Sequence, residues 1–258
     1  MTRNRSLWIA AVILFLLAFL SSPRAQAAPS ASIKAVPSTI AIGAQYNGIA
    51  IDLNGTIPAG SEVILRFSGE PGELHLREKG KIFGLLWMNV GKVSLSNVPS
   101  VCLIDSSAAF DIIGAAAIPY RLEGLRDIIT VGENTGASDV DVLEELLLLK
   151  KNQKLYVEES RGVRLGPDTG SVRPFSASMK VPSALAPGKY LVEAIAIKDG
   201  AVVGRSTTTV DAALTGFPRW LSQLAFKRSL LYGALATLIA IFSGLLIGII
   251  FQGKGGAH

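Results

Sequence analysis

The sequence predicts a mainly β protein: an immunoglobulin-like antiparallel sandwich with a helical insertion, followed by one C-terminal transmembrane helix. Three observations predict it. Short alternating or β-branched runs fill residues 28–104 and 155–210, with turn signals every eight to twelve residues. Between them, at about 105–154, the apolar period becomes helical. Leu230–Phe251 then runs for twenty-two residues without a charge. A helix of that length covers about 33 Å, enough for a hydrocarbon core of about 30 Å.

At the other end, Arg3 and Arg5 precede Leu7–Leu20, a fourteen-residue apolar run, and Pro23 and Ala25-Gln26-Ala27 follow it. A basic start, a short apolar run and a small-x-small site describe a secretory signal peptide over residues 1–27. The alternative is an uncleaved anchor, for which about twenty apolar residues would be expected. Cleavage gives an exported domain over 28–212, a juxtamembrane segment over 213–229, the span at 230–251 and a short cytoplasmic tail at 252–258. Lys227 and Arg228 outside the span, against Lys254 inside, run counter to the positive-inside rule, which weighs little on a long translocated domain. Phe217, Trp220 and Phe226 suit an interfacial aromatic belt, and Pro218 marks the start of a short surface helix.

Within the exported part, strands are expected at Ser38–Ile42, Gly48–Leu53, Glu62–Phe67, Leu74–Leu76, Ile82–Asn89 and Lys92–Leu95. Asn54-Gly55 and Pro71-Gly72 read as turns. Ser107–Ile118 is alanine-rich and weakly helical. A stronger helix opens at Ser138 as N-cap and carries Val140, Leu143, Leu146 and Leu147 at helical spacing. The run Leu146–Leu149 is broader than one stripe needs, which indicates burial between layers or a partner face. Strands return at Leu155–Val157, Gly162–Leu165, Val172–Val181, Tyr190–Ile197 and Val202–Val210. The turn Ala186-Pro187-Gly188 feeds Tyr190, and Asp199-Gly200 closes a hairpin.

The chain carries 25 basic and 20 acidic residues. Loss of Arg3, Arg5 and Arg24 with the leader leaves 22 against 20, with no basic stripe, which argues against nucleic acid. Cys102 is the single cysteine, so no intrachain disulfide is possible, and its apolar flanks suit a small packed side chain. His75, in Leu74-His75-Leu76, is the one histidine before the tail and reads as a solvent-facing strand residue. Neither a His-based triad nor a closed zinc site can be assembled from these residues. Asp139, Asp141, Glu144 and Glu145 crowd a helix start, where acids belong without calcium. Gly84, Gly91 and Gly132 with Gly136 have no phosphate-loop context, and no cofactor motif is present.

Two features stand out for recognition. Trp87 beside Asn89 could anchor a ligand or partner if exposed, whereas a sandwich more often buries its tryptophan. In the span, Gly244 and Gly248 form a GxxxG with Ser243 at its edge, a face that lets a second helix approach.

Further residues carry a resemblance: Phe83-Gly84 with Trp87-Met88-Asn89, Val98-Pro99-Ser100, Leu155-Tyr156-Val157-Glu158, Gly162-Val163, Val181-Pro182 through Pro187-Gly188-Lys189-Tyr190, Asp199-Gly200-Ala201-Val202-Val203 and Leu231-Tyr232-Gly233. In this order they resemble a family of transmembrane proteins described mainly from alphaproteobacteria, over nearly the whole mature chain. The chain departs from that family after Ser100, where Val101 and Cys102 replace expected aromatics. The resemblance implies a signal peptide, a β-rich exported region with helices in its middle and one C-terminal span. It implies no catalytic activity.

The expected function is therefore a membrane-anchored periplasmic interaction or accessory module beside another envelope protein, of which a transporter is one candidate. It would sit in a bacterial inner membrane with its C-terminus cytoplasmic, and a partner or second copy would meet it through the span. A periplasmic ligand-binding sensor using Trp87 and a carboxylate-dependent hydrolase are the alternatives.

Overall fold

The structure, a computed structural model, describes residues 31–83, 85–135 and 141–252. The leader, Ser138 and the tail from Gly253 lie outside them. In chain order the elements are β1 (Ser32–Val36), β2 (Thr39–Ile42), β3 (Ile49–Pro58), β4 (Glu62–Gly69), β5 (Pro71–Ile82), β6 (Leu86–Pro99) and β7 (Cys102–Ser106). Helix α1 (Phe110–Ile113), 3-10 turns at Ala115–Tyr120 and Glu123–Asp127, β8 (Thr130–Asn134) and α2 (Val142–Asn152) follow. Then come β9 (Tyr156–Glu158), β10 (Arg164–Leu165), β11 (Val172–Val181), β12 (Gly188–Lys198), β13 (Ala201–Leu214), α3 (Gly216–Lys227) and α4 (Ser229–Gln252).

Two sheets make a sandwich. One has the order β1-β3-β11-β10, the other β2-β13-β12-β4-β7-β9. The main core lies between them. Along β11, Phe175, Ala177, Met179 and Val181 are buried while Ser176, Ser178 and Lys180 are exposed, the period-two alternation of a half-covered strand. Ile51, Leu53 and Ile57 of β3 meet Leu65, Phe67, Val192 and Val210 of the opposite sheet, each side chain gaining about 1.5–3 kcal/mol on full burial. Phe67 and Tyr190 stack with ring centres 5.0 Å apart.

A second core covers the outer face of the larger sheet. Ile64, Cys102, Ile104, Ile195 and Ile197 pack there under Ile113, Leu122, Leu125 and Leu146 from the segment between β7 and β9. That segment is not wholly helical, because it also contains β8, which joins β5 and β6 in a third sheet.

Several local expectations are corrected. Asn54-Gly55 lies inside β3, not at a turn. A Cβ at Gly55 would stand 2.0 Å from Ser32 O and 2.7 Å from the Phe175 ring, so this glycine allows close packing rather than reversal. Pro71-Gly72 is likewise no turn: it pairs with Pro99 and Val98 at the start of β5. The expected strand Ile82–Asn89 is split, because β5 ends at Ile82 and its antiparallel partner β6 begins at Leu86. The N-cap of α2 is Asp141, whose carboxylate accepts from Leu143 N at 3.0 Å and Glu144 N at 3.2 Å. Of the leucine run, Leu146 is buried, Leu147 half-buried, and Leu148 and Leu149 exposed, so the helix buries one stripe only. Asp199 and Gly200 do close the β12–β13 hairpin, both with positive φ as a type I′ turn requires.

Candidate functional site

The hairpin formed by β4 and β7 does not end with its sheet. Ser68 pairs with Cys102, Gly69 N donates to Val101 O at 2.9 Å, and Pro71 pairs with Pro99. β5 and β6 therefore continue the same ladder outward as an arm. Its inner half is covered: Val93, Leu95 and Val98 are buried against the helical segment. Beyond Lys92 no third described strand pairs with the ribbon, and no described side chain from Arg77 to Val90 is buried.

The tip of this arm carries large apolar side chains. Phe83 has a φ of 54°, a left-handed conformation that costs a bulky residue about 1–2 kcal/mol. Its ring is nonetheless 93% exposed. Leu85, Leu86, Trp87 and Met88 are exposed beside it. Residues two apart share a strand face, and cross-strand partners share it too. Trp87 and Asn89 therefore stand with their partners Lys81 and Lys79 on one face, and Leu86 and Met88 on the other. Lys81 Nζ lies 5.2 Å from the centre of the Trp87 ring, a cation–π contact. Trp87 is thus outside both cores, at 66% exposure. The sequence singles out Trp87 and Asn89 for recognition and gives Phe83 and Met88 only a place in the family resemblance, while Lys79, Lys81, Leu85 and Leu86 pass unnoticed. The missed signal is the unbroken apolar run Leu85–Met88, where a strand with one covered face would alternate.

At the foot of the arm a groove of about 400 Å³ runs along the outer face of the larger sheet. Ser68, Leu191 and Thr209, neighbours across three strands, line it with Pro71, Pro99 and Arg66. Arg66 is already engaged there: its Nε donates to Glu193 Oε2 at 2.7 Å, and Arg205 donates to the other oxygen of that carboxylate. The Tyr120 ring lies 5.9 Å from the Arg66 guanidinium and 5.7 Å from that of Arg205. The groove is mostly apolar, with its buried charge compensated internally.

Glu70 also lines this groove and is the one carboxylate among its described lining residues. Asp105 is buried elsewhere and accepts from Ser106 N at 2.7 Å and Gly162 N at 3.0 Å. Burial pushes its carboxyl above the usual carboxylate range, against the pull of those two hydrogen bonds. Among the described residues no group of three His, Cys, Asp or Glu is placed to hold a metal ion. His75 is exposed on β5, near Glu73.

Cys102 is buried in the second core, and burial pushes its thiol up to about 12. Cys102→Ala or Cys102→Val is expected to cost at most about 1–2 kcal/mol, as for small core truncations, and to leave function intact. Rapid labelling of the native chain by a polar thiol reagent, with loss of function, would contradict this.

The remaining site residues lie on α4, which is long and apolar enough to cross a membrane over Ser229–Phe251 and is 0% buried in the chain. Gly244 and Gly248 stand one turn apart on it, with open space where a Cβ would be, and Ser243 flanks them. α3 precedes it with Phe217, Trp220, Leu221 and Phe226 exposed.

Residues 31–253, from the first described strand through the sandwich, arm and span, match the model of a family described as "Putative transmembrane protein (Alph_Pro_TM)". The chain belongs to this family. The match embraces the arm, its Trp87 tip and the Gly244–Gly248 face alike, so all the candidate sites lie within the transmembrane family's shared region. No curated protein and no solved structure matches the chain.

Proposed function

We propose that the protein is a membrane-anchored interaction module, acting as an accessory beside another envelope protein. In this reading the leader is a signal peptide, the bulk of the chain is periplasmic and the C-terminus is cytoplasmic in a bacterial inner membrane. The observation that carries the proposal is the arm. A ribbon that holds Phe83, Leu85, Leu86, Trp87 and Met88 away from both cores keeps a concentrated apolar surface in water, as contact surfaces do. Its best anchor is Trp87, with Asn89 on the same face.

We also read the sandwich as immunoglobulin-like, an architecture that suits a recognition module. The order β1-β3-β11-β10 and the run β13-β12-β4-β7 within the six-stranded sheet suit the two sheets of such sandwiches, with β4 and β7 as the pair whose hairpin is drawn out into the arm. Tyr190 Oη donates to Ala186 O at 2.6 Å, the back-bond that a tyrosine corner makes at the entry to its strand. The span supplies a second contact surface at Ser243, Gly244 and Gly248, where a partner helix or a second copy can approach closely and gain dispersion contacts that lipid does not match.

The test is recovery of partners with the full chain from mild detergent. Gly244→Ile with Gly248→Ile is expected to keep insertion and to lower self-association or partner recovery, with Leu245→Ile silent. Leu86→Ser with Trp87→Ser is expected to lower recovery of partners crosslinked in the native membrane, where the arm sets the position of the domain, while leaving the unfolding midpoint unchanged. Undiminished recovery in both double variants would contradict the proposal.

A further inference from the structure

We infer that the tip of the β5–β6 arm seats in the anionic headgroup layer of the same bilayer that α4 crosses. This rests on the reading of the arm as a contact surface and names what it contacts.

Position is the first argument. β13 runs toward the membrane, through Val210 and Ala212 to Leu214, and α3 and α4 follow. Tyr190 pairs with both Val210 and Gly69. The Gly69 end of β4 is therefore the end of the sheet from which the chain leaves for the span. The arm leaves from that same end, through Pro71 and Pro99. Its twelve-residue strand β5 is about 40 Å long at about 3.3 Å per residue. The intervening helix α3 has twelve residues, or about 18 Å. The arm is thus longer than the segment that separates the sheet from the span.

Chemistry is the second argument. The tip is apolar on both strand faces and at its turn: Trp87 on one face, Leu86 and Met88 on the other, Phe83 and Leu85 at the reversal. A flat partner covers one face of a ribbon, whereas a lipid interface surrounds it. Lys79 and Lys81 flank this tip, and no acidic residue lies between Lys79 and Asn89. Lysine stems lie along apolar surface while their ammonium groups reach outward to phosphates. Tryptophan is enriched at membrane interfaces, and surface-binding segments combine it with lysine or arginine. α3 repeats this composition with Trp220 and Phe226 exposed beside Lys227 and Arg228. Contacts at the arm and at α3 would hold the domain at two points and fix its tilt on the membrane.

The experiment uses the full chain in nanodiscs, with Leu86→Cys carrying an environment-sensitive fluorophore and the buried Cys102 left in place. In discs containing phosphatidylglycerol, emission is expected to shift to shorter wavelength and to be quenched by lipid spin-labelled at headgroup level. Discs of phosphatidylcholine alone should give a smaller shift. Lys79→Glu with Lys81→Glu should abolish the difference between the two. A probe quenched freely by iodide and not by spin-labelled lipid, in both discs, overturns the inference. A photo-crosslinker at Leu86 in native membranes then separates the two failures. Adducts to a protein alone overturn the lipid assignment and leave the arm as a contact surface, whereas no adduct overturns both.

Discussion

Glu193→Ala is expected to cost the folded domain about 3 kcal/mol, because removing one partner of a buried ion pair leaves the other charge uncompensated. The Glu193 side chain is 2% exposed and holds Arg66, itself 16% exposed, on one carboxylate oxygen and Arg205 on the other. Arg205 is half exposed and recovers solvent when the carboxylate goes, which keeps the cost toward the lower end of the usual range for buried pairs. Tyr120, on the helical segment, lies over both guanidiniums. The same substitution should therefore loosen the cover over the second core and speed thiol labelling of Cys102, which pairs with Ser68 two residues from Arg66. Glu193→Leu with Arg66→Met should recover much of the loss, since an apolar pair of similar volume has no charge to desolvate. Urea unfolding of the full chain in micelles measures the two stabilities, and the rate of thiol labelling the third effect. An unchanged midpoint in Glu193→Ala would contradict the account of this cluster.

Gly162→Ala is expected to cost about 2–3 kcal/mol for a different reason. A Cβ there would stand 2.0 Å from Asp105 Oδ2, so the buried carboxylate must move and abandon its bonds from Ser106 N and Gly162 N, each costly to leave unmet. The same carboxyl predicts a pH signature. Its folded pKa lies above the unfolded value of 3.8, so the folded chain binds more protons across that interval. Its contribution to stability therefore falls as pH rises through the folded pKa. Asp141 and Asp168 are held low by Arg126 and Arg173 and act in the opposite direction, but they are common to any comparison made at Asp105. The stability of the native chain minus that of Asp105→Asn is thus expected to decline as pH is raised upward from 3.8. A difference that stays flat there would show that Asp105 does not titrate as its burial requires.

The sequence revealed those parts of the fold that depend on local period. β11 and β12 announce themselves by alternation, the β12–β13 turn by Asp199-Gly200, and α4 by an uncharged run too long for a core helix. It misled where the ladder partner decides. Asn54-Gly55 can form a turn, yet Gly55 is needed where Ser32 O and the Phe175 ring close on it. Pro71-Gly72 can also turn, yet the β4–β7 ladder runs straight through it into the arm. Trp87 was legible as a residue of interest but not as an exposed one. A period-two pattern says which side chains share a face, not whether a second layer covers that face, and among the described residues no such layer covers the outer half of the arm. The lysines opposite Trp87 and Asn89 became visible only with the cross-strand register.

The central claim is that the arm is the contact surface of a membrane-anchored protein. Photo-crosslinking from Leu86 in intact cells tests it most directly, with Lys34, an exposed residue of β1, as the control. A specific adduct is expected at Leu86, to lipid or protein, well above that at Lys34. Equal background labelling at the two positions would contradict it.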